Sequence, residues 1–148
     1  MHGPPRRISL DPARARPRGD ALTARMIAAL SERVGQPLAP ATVTVDGSTR
    51  LEVEAAAADG SVFAQVIPHA GAFTSAHRNR VTANLFKLVW VATALFPDAQ
   101  VALCVTPSVG PALAPHGWVR VAAQELGVRL LVFDPGSDSL RPAEEVLW

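Results

Sequence analysis

The stretch that decides the fold runs Arg50-Leu51-Glu52-Val53-Glu54-Ala55-Ala56-Ala57-Ala58-Asp59-Gly60-Ser61-Val62-Phe63-Ala64-Gln65-Val66-Ile67-Pro68. Its first half alternates apolar and polar residues, the mark of a strand with one buried face. Asp59-Gly60 is a hairpin signal, and Pro68 ends the second strand. Read as a two-residue turn, Asp59-Gly60 sets Ala58 opposite Ser61. Counting back, Glu54 then faces Gln65 and Glu52 faces Ile67. Alternation puts Glu52, Glu54, Gln65 and Ile67 on one face, and Leu51, Val53, Ala64 and Val66 on the other.

Working outward, Thr42 to Val45 alternates and ends at Asp46-Gly47, a second hairpin signal, so three strands form an antiparallel meander. Before it, Asp20 can cap a helix over residues 21–34 that stops at Gly35. After it, Thr74 or Ser75 caps the longest helix, which runs to Phe96 before Pro97-Asp98. Gln100 to Thr106 and Val128 to Phe133 are nearly continuous apolar runs, as in strands buried on both faces. Between them lie a proline-rich loop and a helix from Gly117 to Leu126, closed by Gly127. The order is α-β-β-β-α-β-α-β: a mixed-sheet α/β fold with helices on both faces, whose last β-α-β unit is parallel and right-handed.

Residues 1–19 carry Pro4, Pro5, Pro12 and Pro17 without an apolar period and read as a disordered arm that folding does not need. The domain covers 20–134. The tail, 135–148, is irregular or holds one helical turn over 142–147. It ends in Val146-Leu147-Trp148, and Trp148 is expected to dock on its own domain or across a homodimer contact, a frayed end being the alternative.

Composition narrows the class. The 148 residues are 49% hydrophobic and 18% charged, with a net charge of +1. The arm holds Arg6, Arg7, Arg14, Arg16 and Arg18 against Asp11, a balance of +4, which leaves −3 for the rest. Any nucleic-acid footprint therefore comes from the arm or from a local patch. Thirteen arginines and one lysine, Lys87, in an alanine-rich chain point to GC-rich coding, so arginine abundance by itself says little. The lone cysteine, Cys104, lies in an apolar run and reads as a buried thiol in a reducing, cytoplasmic setting. The longest apolar region, Leu85 to Phe96, is interrupted by Lys87 and Thr93 and is too short to span a membrane. The four histidines have no zinc-site spacing and read as structural or incidental, and Trp90 and Trp118 as core or interface fillers. No phosphate-loop, dinucleotide or serine-hydrolase motif occurs.

On the long helix, at ~100° per residue, His77, Arg80, Asn84 and Lys87 share one polar stripe beside the apolar stripe Val81, Leu85, Leu88, Ala92 and Phe96. The polar stripe can overhang the Glu54–Gln65 face. In order of elements and in these residues, the chain resembles the restriction-endonuclease-like, or PD-(D/E)XK, superfamily over residues 20–134. Leu51-Glu52-Val53-Glu54 is similar to the first acidic motif of that family, Gln65-Val66-Ile67 stands where its (D/E)-x-K stands, and Asn84 to Leu88 resembles its helix pattern. The resemblance implies a degenerate catalytic set of Glu54, Gln65 and Lys87, with Lys87 replacing the missing strand lysine. It implies a weak Mg²⁺ site at Glu54 and Asp46 if the protein cleaves at all. It implies DNA or RNA contacts through Arg78, Arg80, Asn84 and the arm arginines. Two functions stay open: a nuclease-fold protein that binds nucleic acid or serves a nucleic-acid system with little cleavage, and a non-catalytic interaction module, homodimeric or using its C-terminal tail on a protein partner.

Overall fold

The computed structural model describes residues 6–13 and 20–146. One seven-stranded sheet runs in strict chain order: β1 (Ile8–Pro12), β2 (Ala39–Val45), β3 (Thr49–Ala56), β4 (Val62–Ile67), β5 (Gln100–Val105), β6 (Val128–Asp134) and β7 (Ser139–Pro142). The first four pair antiparallel, β4, β5 and β6 are parallel neighbours, and β7 returns antiparallel. Helix α1 (Ala21–Val34) packs Met26 and Leu30 on one face of the sheet. Helices α2 (Ser75–Trp90) and α3 (Trp118–Glu125) cover the other. The expected α-β-β-β-α-β-α-β order is present, within a wider sheet.

Local chemistry explains the boundaries. Asp20 caps α1 by accepting the Thr23 N–H at 2.6 Å, and Gly35 closes it in the left-handed conformation at φ 75°. Helix α2 starts in a capping box between Thr74 and His77. It continues as a π-helical turn over Val91–Leu95, so the helical run reaches the expected end at Phe96 with a wider last turn. The Phe96 ring stacks on Phe63 at 4.8 Å and lies 3.1 Å from where a Cβ on Gly60 would stand, so glycine is required in that turn.

Three expectations need correction. The stretch read as a disordered arm contains β1, whose Ile8 and Leu10 pack against the core and whose register with β2 runs from Ile8↔Val45 to Pro12↔Ala41. A short edge strand with prolines on either side shows no pattern until its partner is known. Residues 1–5 and 14–19, with Arg14, Arg16 and Arg18, lie outside the described residues, as do Leu147 and Trp148. The tail likewise adds β7 ahead of a short 3-10 turn at Ala143–Glu145.

The third correction concerns faces. The β3–β4 register is the expected one, with Ala55↔Ala64 and Ala56↔Phe63, although the loop spans four residues rather than two: Ala57 N–H donates to Val62 O at 2.9 Å. Between β2 and β3, however, Ala39↔Ala56 and Ala41↔Val53 leave one extra residue on β3, a bulge around Glu54–Ala55. The bulge inverts the parity of β3. Leu51 and Val53 join Phe63 and Ile67 under α2, while Ala55 joins Ala64 and Val66 under α1. Glu52 is thereby turned off the Gln65 face.

Candidate functional site

Gln65 is the centre of the polar cluster. It lies mid-strand in β4, on the α2 face, and only 2% of it is exposed. Its Oε1 accepts the backbone N–H of Glu54 at 2.7 Å, and its Nε2 donates to Asn84 Oδ1 at 2.7 Å. Asn84 Nδ2 in turn donates to the carbonyl of Arg80 at 2.8 Å. The bulge leaves the Glu54 N–H in need of an acceptor, and the Gln65 amide supplies it, since a buried unpaired N–H is costly. The structure thus joins Glu54 and Gln65, two of the three residues of the expected catalytic set, to Asn84 of the α2 stripe rather than to Lys87 through Gln65. It does so through an amide that is a strut between strand and helix.

The remaining expected site residues distribute as follows. Glu54 is half-buried. Lys87 is half-buried one turn beyond Asn84, ~4.5 Å further along α2. Arg78 and Arg80 are exposed near the start of α2, the Arg78 guanidinium lying over the Phe73 ring at 5.4 Å. Arg6 and Arg7 are exposed ahead of β1. Glu52 is exposed and accepts from Thr42 Oγ1 at 2.9 Å. Asp46 sits in the β2–β3 turn at φ 53°, accepting the Arg7 N–H at 3.0 Å.

That placement decides the metal question in part. Five strand steps of ~3.3 Å separate Thr49, where the chain enters β3, from Glu54, so Asp46 and Glu54 stand too far apart to share an ion. Among the described residues no three His, Cys, Asp or Glu side chains group as metal ligands. The donor set around Gln65 does not fit a divalent cation that wants anionic oxygens.

A second polar group was not visible in sequence. His69, after β4, and His77, on α2, stack with ring centres 3.6 Å apart. The His69 N–H donates to Thr106 Oγ1 at 3.0 Å, and its carbonyl accepts from Thr106 Oγ1 and Ser108 Oγ, both at 2.6 Å. His77 Nδ1 accepts the Thr74 N–H at 3.0 Å, which sets the ring proton on Nε2. Loss of hydration, then the neighbouring His69 and Arg80, hold the His77 pKa below the ordinary imidazole value. The only sequence signal for this group is Thr74-x-x-His77, which has capping-box spacing. Cys104 is fully buried, and burial pushes its thiol up to about 12, so it is no nucleophile. Trp118, expected to fill a core or interface, is 74% exposed, and Phe86 is 78% exposed.

The chain shares its fold with two solved proteins. One is an XisH family protein from Nostoc punctiforme, with a TM-score of 0.60 and 13% identity over 82% of this chain and 97% of that one. The other is an fdxN element excision controlling factor protein from Anabaena variabilis, with a TM-score of 0.58 and 12% identity over 82% and 97%. At such identity the likeness is one of fold. No family model and no curated protein sequence matches the chain. No helix among the described residues is long and apolar enough to cross a membrane.

Proposed function

We propose that this is a nuclease-fold protein that contacts nucleic acid, or serves a nucleic-acid processing system, with little or no cleavage of its own. The observation that carries the reading is the commitment of Gln65. Where the nuclease pattern has a carboxylate for Mg²⁺, this chain has a buried neutral amide with its carbonyl and its NH₂ both engaged. An amide so placed is a poor metal ligand, and releasing it would leave the Glu54 N–H and the Asn84 carbonyl unpaired. The fold likeness to an fdxN element excision controlling factor supports a role beside element excision. Two assays test the proposal. Binding to DNA should weaken steeply with salt, and plasmid should stay intact with Mg²⁺. Salt-insensitive binding, or none, overturns the binding half. Cleavage that disappears in Glu54→Ala and in Lys87→Ala overturns the other.

A second reading, an assembly module, is favoured by Phe86 and Trp118, which stand exposed on the two helices that cover one face of the sheet. A stable oligomer of the pure protein that has no nucleic-acid affinity, and that dissociates in Phe86→Ser or Trp118→Ser, would favour it.

A further inference from the structure

We propose that one end of the sheet, where β1 begins, β2 turns into β3 and β4 gives way to α2, is a docking edge for a phosphodiester backbone. The inference rests on the nucleic-acid reading above and assigns it a surface, one separate from the Gln65 cluster at mid-strand.

The pairing register gathers the edge. Ile8↔Val45 sets Arg6 and Arg7 beside the β2–β3 turn. Two bonds hold Arg7 there: Asp46 N–H donates to Arg7 O at 2.8 Å, and Arg7 N–H donates to the Asp46 carboxylate Oδ1 at 3.0 Å. Arg50 pairs with Thr44, one residue inside the same turn. Because β3 and β4 are antiparallel, the start of β3 lies at the end where β4 finishes, and there α2 begins with Arg78 and Arg80. All five arginines are exposed, and they straddle the end of the sheet: Arg50 shares the face of Glu52, opposite the α2 face, while Arg78 and Arg80 stand on α2 itself. The one carboxylate in that turn, Asp46, already accepts a backbone N–H.

At the other end of β3 and β4, two connections are acidic. The β3–β4 turn carries Asp59 and the connection after α2 carries Asp98, with no lysine or arginine in either. Four strands at ~4.8 Å make the edge roughly 14 Å wide, close to the axial span of five successive phosphates on one strand of a duplex at ~3.4 Å per step. Guanidinium groups suit phosphate because their donors form a planar fork.

The test is fluorescence anisotropy on the full chain with three probes, a short random-sequence DNA duplex, its single strand and an RNA duplex, over a salt series. For the wild type, log K should fall against log salt with a slope of about −4, from ~0.9 per phosphate contact on duplex DNA. Arg50→Ala and Arg78→Ala should each make that slope shallower by about 0.9, Arg78→Ala with a small drop in melting temperature from its lost contact with Phe73 and Arg50→Ala with none. Arg33→Ala, exposed near the far end of α1, should leave it unchanged. The ranking of the three probes names the backbone preferred. Wild-type-like slopes in both Arg50→Ala and Arg78→Ala, with the wild type binding, overturn this edge and leave nucleic-acid binding standing. No binding of any probe by the wild type overturns both. Arg50-dependent binding of a polyglutamate peptide, with none of the nucleic acids bound, replaces the proposal with an acidic protein partner.

Discussion

Gln65 Oε1 accepts the Glu54 backbone N–H at 2.7 Å, across the point where the β3 bulge disturbs the sheet. Its Nε2 meanwhile reaches α2 at Asn84. One side chain thus repairs a strand irregularity and ties the helix to the sheet. Gln65→Ala removes both bonds and a fully buried side chain, and should destabilise the fold by about 2–4 kcal/mol. Urea denaturation measures it. A loss under roughly 1 kcal/mol would show that water replaces the amide at little cost.

Edge strand β1 should matter to stability although it stands outside the expected domain. Leu10 packs against the core, and its Cα partner is the buried Val43. Leu10→Ala should cost about 1–3 kcal/mol, somewhat less than a fully buried leucine. Deleting residues 1–13 should lower the melting temperature by several degrees. An unchanged melting curve in the deletion would mean that β1 adds nothing to the sheet.

His77 links stability to pH. Its native pKa lies below its unfolded value, chiefly from lost hydration and then from His69 and Arg80. The unfolded chain therefore takes up a proton first as pH falls. The contribution is fully present above the unfolded value of ~6.5 and is lost as pH falls through the depressed native value. Protonation also occupies Nδ1, the acceptor of the Thr74 N–H. Melting temperatures recorded from about pH 8 to pH 5 should decline, and His77→Gln, which keeps a cap acceptor without titrating, should flatten that decline. Equal slopes in the two proteins would remove His77 as the cause.

Cys104 should resist alkylation by iodoacetamide in the native state, because its thiol is buried and pushed up to about 12. Modification should follow global unfolding, and mass spectrometry at increasing urea reads it directly. Rapid labelling without denaturant would contradict the burial of β5.

Much of the architecture was legible because it is written in local pattern. Alternation in Arg50–Glu54, the Asp-Gly turns, the cap at Asp20 and the apolar runs of β5 and β6 all act over a few residues, and they yield the element order and the β3–β4 register. The stripe on α2 placed Asn84 correctly over Gln65. The parity of β3 was out of reach, because a bulge is one extra residue whose position depends on the partner strand. The His69–His77 stack was equally hidden, since their rings meet only when α2 folds back over the end of β4.

By itself, then, the sequence determined the helices and the five central strands, β2 to β6, and most of the apolar residues they bury, because backbone propensity and hydrophobic period are local quantities. Tertiary structure alone decided that Ile8 and Leu10 belong to the sheet, that Gln65 is a strut between Glu54 and Asn84, and that Arg7, Arg50 and Arg78 share one end of the molecule. Those are pairings between residues far apart in the chain. What selects them is the closing of hydrogen bonds and the burial of apolar surface on neighbours that no local window contains.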